Sequence, residues 1–389
     1  MFNPLYINKA ILSERAFNLR WAELPADVIP LTAADPDYPC AFPITDAIQR
    51  FIKDRYLSYG PPAGYASFKE AMAAFLQTKR SVITCPQSIL PVDSAAFGIY
   101  LTCKSMLLPG DEAIIFNPVD FLFRSSIEQV GASAISFPIP AGTDRVDFSQ
   151  MEELITPKTK MVCLCNPLNP TGKVFKKEEL EELAAICEKH DLIILSDEIW
   201  SDIIFEPYSY TSIAALNEAS RNRTVIVTGF SKSYGLAGLR IGAVIAPNPT
   251  IFEKIYEQSL HNTTIHGANI IGQIAATAAL NECGPWLEGF LKHLNQMRNL
   301  IVPTLNEIPG FKCIAPEGCY VAFIDIRGTG KDSSFIHEHL MRDAKVAVVP
   351  GLPKWFGSEA EGYIRISFAT SEVTLEEALY RIRKSIHTL

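Results

Sequence analysis

The sequence predicts an α/β fold with a mostly parallel sheet, joined to a smaller α+β unit at the C-terminal end. Three observations carry that expectation. Short apolar runs rich in β-branched residues alternate with amphipathic segments, the pattern of βαβ units. Three of those runs end in polar, turn-forming stretches, "NPLNPTG", "SDEIW" and "SKSYG", and open α/β sheets gather ligands at the carboxyl ends of their strands. From about residue 285 the alternation gives way to an irregular mix of helix and strand.

Taken in order, residues 1–40 carry prolines at 25, 30, 36 and 39 and are expected to form an arm packed on the smaller domain. A large domain is expected over residues 41–284, where "DSAA" (93–96) precedes an apolar helical run. "KMVCLC" (160–165) reads as a buried strand. In the helix expected after it, "KKEELEELAAICEKHD", Leu180, Leu183, Ala184 and Cys187 fall on one face. "LIILS" (192–196), "TVIVTGF" (224–230) and "GAVIA" (242–246) are the next strands, the second running into a loop that holds Lys232. The smaller domain, residues 285–389, is expected to open with the long helix "PWLEGFLKHLNQMRNLIVPTLNEI". Strands "YVAFIDI" and "YIRISFA" follow, and the helix "TLEEALYRIRKSIH" closes it.

With 389 residues, 48% of them hydrophobic and 20% charged, the chain can bury a sizeable core. Its 43 acidic and 35 basic residues give a net charge of −8 without a Lys/Arg block, which argues against a nucleic-acid or anionic-membrane surface. No apolar run is long enough to cross a bilayer, and "MFNPLYINKA" lacks the layout of a secretory signal. The nine cysteines are scattered, and the close pair Cys163 and Cys165 has the wrong spacing for a CxxC site. No metal is therefore expected, and a reducing cytoplasm is the expected location.

Lys232 poses the chemical question. The Walker pattern and the GxGxxG fingerprint are both absent, which removes the phosphate-loop readings. A lysine at the end of a buried strand is partly desolvated and loses its proton more readily, and a neutral amine attacks carbonyls. It can hold an aldehyde cofactor as a Schiff base, for which pyridoxal phosphate is the usual candidate. That cofactor makes three further demands. A carboxylate must keep its ring nitrogen protonated, and Asp197 is placed for this. Its phosphate needs a helix start and a cation, which "DSAA" and Arg240 supply. Its phenolic oxygen wants a donor, and Asn169 is one. Singly, these residues read as a helix cap, a surface cation and a turn residue; their order along the strand ends favours one site.

"NPLNPTG", "SDEIW", "FSKSYGLAGLRIG" and "YIRISFA" together resemble the class I/II aminotransferases, fold-type I enzymes that depend on pyridoxal phosphate. The likeness extends to "YGPPAGYASFKEAM", "LPGDEAIIFNP" and "VAVVPG". It implies a seven-stranded-type sheet sandwiched by helices and a homodimer with shared active sites. By this resemblance Lys232 holds the cofactor and moves a proton at the substrate Cα, Asp197 partners the ring nitrogen, and Asn169 bonds the phenolic oxygen. Arg240, Ser94, Ala95 and Ser231 form the phosphate cup, to which Tyr59 of the neighbouring subunit is added. Arg365, Asn169 and Ala34 contact substrate, Arg365 by gripping the α-carboxylate.

Three departures from the pattern matter. Trp200 stands where a tyrosine is usual, so an indole N–H replaces a phenol. Asp120 stands where an aromatic ring usually stacks on the cofactor, so stacking falls to Phe121 or Phe123, or is lost. Gly229 stands where many relatives have serine. The resemblance implies ping-pong transfer of an amino group between an amino acid and a 2-oxo acid. "LRWAELPADVIPLTAADPDYP" and "ECGPWLEGFLKHLNQMRN" also look like the cystathionine β-lyase type of C–S lyase, the alternative reading. A cofactor-sensing regulatory domain is disfavoured, because there is no spare helix-turn-helix segment or basic recognition helix.

Overall fold

The apolar runs become strands because each is buried on both faces between helices, where β-branched side chains pack well on a pleated surface. The computed structural model describes residues 1–389. Its strands are β1 (Ile29–Pro30), β2 (Ile89–Val92), β3 (Glu112–Asn117), β4 (Ser133–Pro138), β5 (Thr159–Cys165), β6 (Ile193–Asp197) and β7 (Thr224–Gly229). There follow β8 (Gly242–Ile245), β9 (Lys312–Cys313), β10 (Val321–Asp325), β11 (Val346–Ala347), β12 (Val349–Pro350) and β13 (Tyr363–Ser367).

Seven of them form one sheet in the order β2-β8-β7-β6-β5-β3-β4. Every neighbouring pair is parallel except those made by β8, which runs against both β2 and β7. The reversal has a local cause. Parallel neighbours need a long crossover, usually through a helix, and the link from β7 to β8 contains one short 3-10 turn, Ala237–Leu239, and the lysine loop. That link returns the chain beside itself instead of over the sheet.

Helix Lys177–Lys189 buries Leu180, Leu183, Ala184 and Cys187, the expected stripe. Helix Ala95–Met106 lies so close to the sheet that a Cβ on Gly98 would come within 2.9 Å of Val227 Cγ1, and glycine is what permits the approach. At the other end of the chain, β12, β13, β10 and β9 form an antiparallel sheet packed with helices Gly284–Asn306 and Glu372–Ile386. β1 pairs in parallel with β11, Ile29 opposite Val346, which ties the N-terminal segment to this sheet's neighbourhood. Phe2 adds an anchor, its ring 4.8 Å from Tyr38 and 5.5 Å from Trp286. No helix is long and apolar enough to cross a membrane.

Candidate active site

Parallel register brings the ends of three strands together. Cys165 of β5 lies opposite Asp197 of β6, and Asp197 lies opposite Val227 of β7. Asn169, Asp197 and Lys232 therefore leave the sheet side by side, at the edge where ligands collect in such folds. Ser233, next to Lys232, anchors the loop by donating to Asp202 at 2.7 Å, and Asp202 is paired with Arg80.

Lys232 Nζ donates to the carbonyl of Ala34 at 2.6 Å and lies 5.4 Å from the centroid of the Trp200 ring. Tyr320 donates its hydroxyl to the same carbonyl at 3.1 Å and meets Trp200 edge-on at 4.7 Å. Burial pushes the Lys232 amine below its ordinary range, and Arg365 pushes the same way; Asp35, Asp120 and Asp197 oppose them. Lys173 makes the contrast. It is more deeply buried than the half-buried Lys232, but Glu179 lies 3.1 Å away and the carbonyl of Asp144 accepts from it at 3.0 Å, so its charge is paired in place.

Asp197 is nearly fully buried, and its Oδ1 accepts the backbone N–H of Ile199 at 3.0 Å. Burial lifts its carboxyl to about 7, against that hydrogen bond, with Asp120 adding to the rise. A carboxylate in this state gains from a cationic partner.

Arg365 of β13 reaches across from the second sheet. Its terminal nitrogens donate to Asn169 Oδ1 at 3.0 Å and to the carbonyl of Thr32 at 3.1 Å, while its Nε is buried without a partner. Asn169 turns its other end to Asp120, Nδ2 to Oδ2 at 3.0 Å. The N-terminal segment thus supplies two backbone carbonyls, from Thr32 to Arg365 and from Ala34 to Lys232. Ala34 belongs to the residues singled out from the sequence, whereas the part played by Thr32 rests on a backbone atom that no side-chain pattern signals.

Helix Ala95–Met106 begins at Ser94, whose Oγ caps it by accepting from Phe97 N at 3.0 Å. β8 crosses against this helix start: a Cβ on Gly242 would sit 2.8 Å from both Ala95 N and the Ser94 carbonyl carbon. Arg240, two residues before Gly242, is exposed and adopts φ +48, its guanidinium donating to the carbonyl of Ala237 at 3.3 Å. Ser231 is half-buried just beyond β7.

Some expectations change. Phe123 is 1% exposed in the core beneath the sheet, so it has no face to offer a ligand. It points inward because it sits on the buried side of helix Leu122–Gln129. Phe121 is exposed, with its ring 5.7 Å from Trp355, beside a cavity of about 510 Å³ that Asp120, Arg124 and Lys354 also line. A Cβ on Gly229 would meet neighbours at 3.4 to 3.6 Å, ordinary contacts, so sterics do not impose glycine there. Tyr59 stands apart from the cluster, 87% exposed, with its ring 5.1 Å from His266.

The chemistry of these donors fits pyridoxal phosphate: a desolvated amine, a buried carboxylate in need of a cation, and a capped helix start against which β8 packs through a residue lacking Cβ. Fold and donor set together point to a class, the α/β enzymes that depend on pyridoxal phosphate. Residues 26–382 match the family described as Aminotransferase class I and II. The chain is 34% identical over 362 residues to the putative aminotransferase YugH of Bacillus subtilis (strain 168), covering 92% of each chain. It is 33% identical to an aspartate aminotransferase of Pyrococcus abyssi (strain GE5 / Orsay), over 92% of this chain and 91% of the relative. Its fold matches the PLP-bound putative aminotransferase of Clostridium difficile 630 with a TM-score of 0.91, at 26% identity, over 99% of this chain and 100% of that one.

The chain belongs to the class I and II aminotransferase family. It is a pyridoxal phosphate-dependent aminotransferase whose substrates are an amino acid and a 2-oxo acid. The relatives' names favour transfer over the C–S β-lyase alternative.

Proposed function

We propose that this enzyme binds its amino donor with the α-carboxylate on Arg365 and the α-nitrogen at Lys232, in a cleft completed by a second copy of the chain. The observation that carries the reading is the guanidinium of Arg365. Asn169 and the Thr32 carbonyl hold its terminal nitrogens, and its buried Nε has no partner. A buried donor without an acceptor costs free energy, and a carboxylate presented to it relieves that cost.

When bound, the cofactor supplies an aldehyde carbon and an electron-withdrawing ring. The chain's residues do the rest. Lys232 Nζ, desolvated and free of any carboxylate within ion-pair reach, anchors the cofactor and, once released, carries the proton at the substrate Cα. Asp197 holds the ring nitrogen protonated, Asn169 donates to the phenolic oxygen, and Trp200 and Phe121 border the ring. Ser94, Ala95, Ser231 and Arg240 take the phosphate at the helix start. Tyr59 reaches the partner's phosphate. Its exposure supports this, as does that of Tyr56, Leu57 and Ile265 around it, since contiguous exposed apolar surface marks an interface.

The same reading divides the chain into an arm (1–40), a large cofactor-binding domain (41–284) and a small domain (285–389), supported by the two sheets and by the pairing of β1 with β11. It places the enzyme in the cytoplasm, supported by nine free thiols.

The test is Arg365→Lys, which keeps a charge and loses the planar fork. KM for amino donors should rise by about 10- to 100-fold while the cofactor stays bound. An unchanged KM would remove the carboxylate role. Pyruvate and thiol released from cystathionine with no 2-oxo acid present would instead favour the lyase.

A further inference from the structure

Two carboxylates flank the site outside any ion pair, Asp35 on the Lys232 side and Asp120 on the Arg365 side. Asp35 follows Ala34, the residue whose carbonyl receives both the Lys232 amine and the Tyr320 hydroxyl. Of all charged groups it acts most strongly on those two side chains. Asp120 accepts from two neutral donors, Leu122 N at 3.3 Å and Asn169 Nδ2 at 3.0 Å, and Asn169 in turn holds Arg365. Neither carboxylate has a cationic nitrogen within 4 Å, whereas Asp37 in the same segment is paired with Arg20.

The loop that carries Asp35 is held by side chains of the preceding turn. Buried Arg20 donates to the carbonyls of Ala33, at 3.4 Å, and Asp35, and pairs with Asp37, which also accepts the Trp21 indole N–H at 2.7 Å. Two cations line the cavity on the Asp120 side, and neither pairs with Asp120. Arg124 donates to Ser136 at 2.8 Å and to Glu128 at 3.5 Å, and Lys354 lies over the Trp355 ring at 5.5 Å. On the Asn169 side of the site, Arg365 offers a buried Nε without a partner, and one α-carboxylate occupies it. A second carboxylate on the substrate would meet like charge. A cation would meet two groups that lack one.

We propose that Asp35 and Asp120 select the amino donor, an amino acid with a basic side chain, whose α-carboxylate lies on Arg365 and whose side-chain cation lies against these carboxylates. The proposal rests on the roles given above to Arg365 and Lys232, and it departs from the aspartate named for the Pyrococcus abyssi relative.

Three donors of equal chain length test it: L-ornithine, L-norvaline and L-glutamate. Each is mixed with holoenzyme in the absence of acceptor, and conversion of the bound cofactor to its amine form is followed by absorbance. The specificity constant for ornithine should exceed that for glutamate by at least about tenfold, with norvaline between them. Asp35→Asn and Asp120→Asn should each lower the ornithine-to-glutamate ratio by about tenfold. The ratio is taken within one protein, so a partial loss of folding cancels. Glutamate reacting as fast as ornithine, or a ratio unmoved in both variants, overturns the donor assignment and leaves the roles of Arg365 and Lys232 standing. Holoenzyme that carries its cofactor and converts with none of the three overturns both.

Discussion

Buried Lys173 and half-buried Lys232 show how surroundings assign a residue its work. Lys173 meets Glu179 and stays a structural cation; Lys232 meets a carbonyl and an aromatic face, and its amine is pushed towards the neutral form. Lys232→Ala should abolish the visible absorbance of bound cofactor and its covalent capture by borohydride; a labelled adduct on another lysine would transfer the role there. Asp197 gives a pH signature. Burial raises its folded-state value from 3.8 to about 7, so the cofactor-free folded chain holds this proton more tightly than the unfolded chain. The resulting stability is complete below 3.8 and is lost as pH rises through about 7. In apoprotein, the melting temperature of the wild type minus that of Asp197→Asn should fall across this window; a flat difference would contradict the assignment. Lys232 and Asp197 were legible in the sequence because each follows an apolar strand at a ligand-binding edge. The Thr32 and Ala34 carbonyls that meet Arg365 and Lys232 are backbone atoms, which every residue carries, and only the folded path of the arm distinguishes them.

Elements decide what the site can hold. The carboxyl ends of β5, β6 and β7 deliver Asn169, Asp197 and Lys232, and the reversed β8 returns Arg240 beside the start of helix Ala95–Met106. That closeness depends on Gly242, where a Cβ would stand 2.8 Å from Ala95 N and from the carbonyl of Thr228. Gly242→Ala should lower the unfolding free energy by about 1–3 kcal/mol and weaken cofactor retention, measured by denaturant titration and by dialysis. Gly229→Ala, with its nearest contact at 3.4 Å, should leave both close to wild type. The helix Lys177–Lys189 and the strands around it were readable from periodicity, since burial on one face leaves a 3.6-residue repeat. The reversal of β8 was not, because "GAVIA" has the same apolar character in either direction. The inward turn of Phe123 escaped for a related reason: Phe121 and Phe123 look equally available until the start of helix Leu122–Gln129 is known.

At the scale of the whole molecule, Tyr59 is the residue that asks for a second chain, exposed and remote from the lysine of its own. If it completes the partner's site, Tyr59→Ala and Lys232→Ala, each weak or inactive alone, should regain up to about a quarter of wild-type activity when co-expressed, because half of the dimers then contain one intact site. Activity no greater than the sum of the separate variants would leave Tyr59 outside the site. The sequence by itself determined the α/β class, the strand ends that gather polar residues, and the placement of Lys232 and Asp197 at two of those ends, all of which are local patterns of polarity and spacing. Tertiary structure alone decided which way β8 runs, which carbonyls meet Lys232 and Arg365, and that Asp35 and Asp120 stand near them outside any ion pair. Those facts join residues up to 333 positions apart, as Thr32 and Arg365 are. Contacts of that span are set by how the layers pack, which no local pattern along the chain encodes.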